Sequence, residues 1–233
     1  MKRKSMKKRI FSLIMIVLIS NSCGIFKTHH KNKLIDFENN QISKNTLKLN
    51  GYYYAELERE ARNSDNFKDK KIKYLSAFFI YEDGFTVNIR GIDGLTNYYC
   101  AENETYENTY EQAHKVIQSM LEFQNSEDKR TKRLCGFEPN DIGYKGLAKI
   151  NNDSIKIQFY IIEMQKPGKD SFNSAYLYEI NGRIKSDSSF VIKSETAFRT
   201  NKTTTENTLF RFRQTKQKPN IENYFKKNKN RFK

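Results

Sequence analysis

The sequence predicts a mostly β domain with one helix: an antiparallel meander of eight or nine short strands that closes into a barrel or bends into a strongly curved sheet. Three observations predict it. Runs of alternating apolar and polar residues recur between residues 47 and 213, and turn-forming Asp-Gly, Asn-Asp and Asn-Gly pairs separate them. A helical period shows itself once, between residues 103 and 124.

The first strand sets Leu47, Leu49, Tyr53, Ala55 and Leu57 on one face and Lys48, Asn50, Glu56 and Glu58 on the other. A charged stretch from Glu58 to Lys71 leads into Ile72–Tyr81, apolar on both faces, which turns at Glu82-Asp83-Gly84 into Phe85–Arg90. Tyr106, Tyr110, Ala113, Ile117 and Met120 then recur at steps of three and four, the spacing of one amphipathic helix. The β pattern resumes at Tyr144–Ile150, turns at Asn151-Asn152-Asp153 and returns as Ile155, Ile157, Phe159 and Ile161. After a loop at Lys166–Ser174 come Tyr176–Ile180, a turn expected at Asn181-Gly182, Arg183–Lys185, Phe190–Ile192 and Leu209–Arg213. No unit of 20–50 residues repeats, and about 165 residues suit one domain with one core.

The amino terminus reads as an export signal. Six of the first nine residues are basic, none is acidic, and Ile10 to Ile19 is apolar apart from Ser12. That run is about half the ~20 residues a membrane-spanning helix needs. The segment that follows, Ile19-Ser20-Asn21-Ser22-Cys23-Gly24, resembles a lipobox. The resemblance implies cleavage after Ser22 and a diacylglyceryl thioether on Cys23; an ordinary secretory signal with an incidental cysteine stays open as the alternative. The chain is thus expected to divide into a signal at 1–22, a lipidated amino terminus and flexible tether at 23–46, a β domain at 47–213 with its helical insertion near 103–124, and a basic tail at 214–233.

The formal charge is +15, with 42 basic and 27 acidic side chains. Without the six basic residues of the signal, 36 basic groups face the 27 acidic ones, and nine of those 36 lie beyond residue 210 beside the single acid Glu222. The β domain is close to neutral, which argues against a nucleic-acid-binding face on the fold. The tail interleaves its lysines and arginines with Tyr224, Phe225 and Phe232, a pattern suited to anionic lipid headgroups or another polyanion and equally to a solvated end.

With Cys23 lipidated, Cys100 and Cys135 are the remaining thiols in an exported chain, and a disulfide between them is the expected state. Closing that loop removes about 3.8 kcal/mol of unfolded-chain entropy if the bond is unstrained. Two free buried thiols remain the alternative.

Candidate chemistry is sparse. His114 is the only histidine in the β domain and is expected on the helix surface; His29 and His30 fall in the tether without enough neighbouring ligands for a metal. Glu82-Asp83 lies at a hairpin tip, where solvated turn residues are expected, and Asp93 has no evident partner. No phosphate-binding glycine loop, His-Glu-x-x-His or Gly-x-Ser-x-Gly occurs. Neither an enzyme nor a cofactor is expected. Tyr52 and Tyr54, on the polar face of the first strand, become candidate ligand-binding residues if that face turns inward; filling core and strand surface is the alternative for these tyrosines.

The stretches LNGYYY, FFIYEDGF, GYKGLAKINNDSIKIQFY and YLYEINGRIKSDSSFVI resemble those of small Bacteroidetes-type lipoproteins, some of them lipocalin-like, and Gly146 to Gln158 matches the segment G-x-Y/A-x-I-x-x-D-x-I-x-I-Q that recurs there. The resemblance implies a lipocalin-like β-barrel and an address in the cell envelope. The expected function is a membrane-anchored, non-enzymatic domain that binds a ligand or a protein partner. A structural accessory subunit of an envelope assembly is the alternative, and a hydrolase a more distant one. Gly24 and the lack of acidic residues just after Cys23 favour the outer membrane's periplasmic face, judged by the export signals of the lipoproteins it resembles.

Overall fold

The computed structural model describes residues 29–30, 34, 41–61, 71–95, 106–135, 142–163 and 174–232. The signal, Cys23 and Cys100 lie outside the described residues.

Nine strands are present: β1 (His29–His30), β2 (Gly51–Glu60), β3 (Lys71–Ile80), β4 (Phe85–Asp93), β5 (Lys145–Asn151), β6 (Ser154–Glu163), β7 (Ser174–Ser186), β8 (Ser189–Ala197) and β9 (Lys202–Gln214). Each of β2 to β9 pairs antiparallel with its neighbour in sequence, and β9 returns to β2 with Gly51 opposite Gln214 and Tyr53 opposite Phe212. The ring closes as an eight-stranded, up-and-down, lipocalin-like barrel, which leaves no free sheet edge around the ring. β1 lies outside the ring, parallel to the start of β7, with His29 opposite Ser174.

The alternation predicted for the first strand sets its facing. Tyr53 and Ala55 point into the lumen with Phe78, Ile80, Ile157, Phe159, Ile180, Phe190, Ile192 and Phe210. Phe190 and Phe210 stack at 5.2 Å with their planes 3° apart, so aromatic rings fill the lower lumen. One end is closed by the tight β3–β4, β5–β6 and β7–β8 turns and by residues 41–50, where Ile42 N–H donates to Glu82 O and Lys48 N–H to Asp187 O. Ile42 and Leu47 are both buried there, so the chain expected to be a tether as far as residue 46 already packs at residue 42.

β3 is apolar on both faces because both are covered. Leu75, Ala77 and Phe79 point outward with Val87 and Ile89 of β4, beneath helix α1 (Tyr110–Phe123), which lays Ala113, Val116, Ile117 and Leu121 on them. The Thr109 hydroxyl caps α1 by accepting from Gln112 N–H at 3.1 Å. A short helix α2 (Lys129–Cys135) follows, so the expected single helix is an insertion of two.

Two further expectations change. Asn181-Gly182 is not a turn: β7 runs straight through it with a register shift, and a Cβ on Gly182 would lie 2.6 Å from Val191 O. Glycine is needed there for the close approach of β8 rather than for chain reversal. The tail also packs, its Tyr224 and Phe225 being buried against the outer face of the barrel in helix α3 (Tyr224–Lys227). Phe225 meets Phe85 and Tyr160, while Lys226, Lys227 and Lys229 stay exposed.

Candidate functional site

At the end opposite the 41–50 segment the lumen opens into a cup of about 580 Å³, lined by Arg59, Tyr74, Arg90, Asp93, Glu195 and Glu206 among others, with Phe78 and Phe210 along its apolar wall. The strands alone do not bring these charges inward, because strict alternation cannot put Arg90 and Asp93 on one face. Gly91 does so. It adopts φ +72° at a bulge where the register shifts between the pairs Leu75–Ile92 and Ser76–Arg90. The extra residue shifts the phase, and Arg90 and Asp93 both face the lumen. A second register shift, between Ile192 and Ser194, sets Ile192 and Glu195 in the cup by the same means.

The charges pair across the opening. Arg90 Nη2 of β4 reaches Glu195 Oε2 of β8 at 2.5 Å, between strands on opposite sides of the ring, and its guanidinium lies 4.9 Å from the centre of the Phe159 ring. Arg59 Nη2 lies 3.8 Å from Asp93 Oδ2, and Asp93 Oδ1 accepts from Leu95 N–H at 3.0 Å. Glu206 is different: its carboxylate accepts one long bond, 3.5 Å, from Thr208 Oγ1 and makes no ion pair among the described residues. Three carboxylates therefore face two guanidinium groups, and the lining is negative by one charge.

Two strand positions inward from Arg90, and again two further, Asn88 and Thr86 sit on the same face of β4. Both are buried, and Asn88 Nδ2, Asn88 Oδ1 and Thr86 Oγ1 have no hydrogen-bond partner among the described residues. Buried polar atoms of this kind call for a water or a ligand group.

A second cavity, of about 720 Å³, lies at the closed end between Lys44, Lys48, Tyr81, Asp83, Lys218 and Asn223. Lys218 Nζ donates to Leu49 O at 2.9 Å and Ile80 O at 2.6 Å and rests 4.0 Å from the centre of the Tyr81 ring. Burial holds its pKa down to about 8. Its contacts are to groups that bind an ammonium, with the Glu82 and Asp83 carboxylates in the same cavity, so it acts as a clasp holding the tail to the barrel end. Asp83, from the hairpin tip, accepts from Phe85 N–H and Asn223 Nδ2 in the same clasp.

The sequence candidates fall elsewhere. Tyr52 and Tyr54 point out of the lumen, because Tyr53 and Ala55 take the inward positions; Tyr52 is 2% exposed beneath α1, so neither tyrosine lines the barrel interior. His114, expected at the surface, is 4% exposed, with Nδ1 2.7 Å from the Tyr52 hydroxyl and its ring edge-on to Tyr54. Burial lowers its pKa to about 4. Neither cavity is lined by it. Cys135 is buried and disulfide-bonded. No cluster of three metal-ligating side chains occurs among the described residues, and none of their helices is long and apolar enough to cross a membrane.

Of the charged residues that build the cup, the sequence singled out Asp93 alone, and Arg59, Arg90, Glu195 and Glu206 were missed. The signal was Gly91 just past the end of the predicted Phe85–Arg90 strand. Comparison with protein-family models, curated proteins and solved structures finds no match to this chain.

Proposed function

We propose that this is a lipid-anchored binding protein of the cell envelope without enzymatic chemistry, attached through Cys23 and facing the periplasm from the outer membrane, whose barrel cup holds a small ligand bearing an organic ammonium group. The observation that carries the ligand class is the charge of the cup: Glu206 has no cationic partner among the described residues, in a lining negative by one charge and walled by Tyr74, Phe78 and Phe210. An ammonium group gains from both features, since a carboxylate supplies the counter-charge and aromatic faces attract cations. The apolar face of α1 and the tail aromatics are turned to the barrel, which supports a ligand in the cup over an accessory subunit docking through those elements.

Thermal unfolding of the lipidated full-length protein in a non-ionic detergent tests this, with choline, ethanolamine and acetate as probes. Choline or ethanolamine should raise the midpoint by several degrees at millimolar concentration, acetate should not, and Glu206→Gln should abolish the gain. Equal responses to all three probes, or a response unchanged in Glu206→Gln, would refute the ligand class.

A further inference from the structure

We infer that the mouth of the cup faces the membrane that carries the anchor, and that the ammonium group it takes is the headgroup of a lipid in that leaflet. This rests on the lipid-anchor and ammonium readings above and adds to them a direction and a source.

The direction follows from strand order. β2 starts at the closed end, since residues 41–50 lead into it there, and ends at the mouth. Each later strand reverses, so β7 starts at the mouth and runs toward the closed end. β1 is parallel to β7, with His29 opposite Ser174, the first residue of β7. The chain preceding His29 therefore leaves from the mouth end. Leu34 packs against the outer apolar cluster and Ile42 sits at the closed end, so the described residues that follow β1 rest on the barrel. What separates the anchor from the rim is the six-residue step from Cys23 to His29, which spans at most about 20 Å when fully extended. A tether that short, fixed at the mouth end, cannot turn the closed end to the bilayer without unpairing β1, since β6 and β7 hold ten consecutive residue pairs along the barrel height, roughly 30 Å.

The lining suits such an occupant. A negatively lined cup opposed to a leaflet disfavours anionic headgroups and favours one that offers an ammonium. The phosphate of a zwitterionic headgroup would then lie toward the rim, where Arg59, near the mouth end of β2, supplies a guanidinium group that suits it.

Lipidated full-length protein reconstituted in vesicles gives the test. Lys202→Cys places a fluorophore at the mouth-end β8–β9 turn and Lys185→Cys places one toward the closed end, both positions being exposed. With headgroup-level quencher lipids, the label at position 202 should be quenched several-fold more than that at 185; equal quenching, or the reverse, overturns the orientation. Protein that fails to float with the vesicles overturns the anchor reading and this inference together.

The source is read separately, from thermal midpoints in phosphatidylcholine and phosphatidylglycerol vesicles. Phosphatidylcholine should raise the midpoint by several degrees over phosphatidylglycerol in the parent and not in Glu206→Gln. Stabilisation by dissolved choline but not by phosphatidylcholine vesicles would overturn the lipid source and leave the ammonium reading standing.

Discussion

The Tyr52 hydroxyl and His114 Nδ1 lie 2.7 Å apart beneath helix α1, joining the first barrel strand to the helix that covers it. Phe79 lies 5.3 Å from the Tyr52 ring and Tyr54 4.5 Å from the imidazole, with the Arg213–Glu111 ion pair nearby, so the neutral imidazole is the form that fits.

That contact makes α1 acid-sensitive. The His114 pKa is near 4 in the folded chain, because burial opposes the charged form and Arg213 adds to it, against about 6.5 when unfolded. Between those values the unfolded chain binds the extra proton, so this contribution is complete above pH 6.5 and fades as pH falls toward 4. From pH 7 to 4.5 the loss should be about 2 kcal/mol from this group alone. His114→Gln, which keeps a side-chain acceptor for Tyr52 and cannot titrate here, should lose correspondingly less in denaturant unfolding at the two pH values. Equal losses in parent and variant would remove His114 from the account.

Lys218 shows the same sign of pH dependence in a higher window, because a buried ammonium, like a buried imidazolium, is costly to keep charged. Its folded pKa, about 8, lies below the value near 10.5 of the unfolded chain, so the unfolded state binds more protons between them and folding gains as pH rises through that window. Lys218→Met removes the donor to Leu49 O and Ile80 O and should cost about 1–3 kcal/mol at pH 7.5. The gap between parent and variant should widen at pH 9.5, and a gap that narrows would mean that Lys218 is not the group being titrated.

How far the sequence revealed this arrangement depends on how apolar each part of the lumen is. Where the interior is filled, Tyr53, Ala55, Ile155, Ile157 and Phe159 alternate with polar neighbours, and the strands could be read directly. Toward the mouth the inward positions become Arg59, Arg90, Glu206 and Thr208, the contrast between faces vanishes, and β9 was legible only from Leu209 although it begins at Lys202. The bulge at Gly91 also breaks the period of two, which hid the shared face of Arg90 and Asp93. Tyr52 was misplaced for another reason: alternation shows which residues share a face, and only the docking of α1 shows that the outer face is buried as well.

Cys135 is disulfide-bonded and buried at the end of α2. Cys100 is its expected partner from the sequence. Peptide mapping without reductant should recover a linked Cys100–Cys135 peptide. Cys135→Ser should lower unfolding stability by about 2–4 kcal/mol, and reductant should weaken the parent to a similar degree while leaving the variant unchanged. A variant as stable as the parent would show that the excursion docks through α1 alone.

Asn88 offers the sharpest separation of stability from binding. Its amide is 3% exposed, faces Phe78 across the β3–β4 ladder, and leaves both polar atoms unpaired among the described residues. A core selected only for stability gains nothing from such a group, since an unsatisfied buried amide costs about 1–3 kcal/mol. Asn88→Leu replaces it with an apolar side chain of similar shape and should leave stability equal or raise it by about 1 kcal/mol in denaturant unfolding. If the amide is kept for what enters the cup, through a water or a ligand group reaching past Arg90, the same variant should weaken the choline-dependent rise in unfolding midpoint. A variant that is more stable and still responds fully to choline would assign Asn88 to neither role, whereas one that is clearly destabilised would show that a buried water completes its hydrogen bonds in the resting barrel.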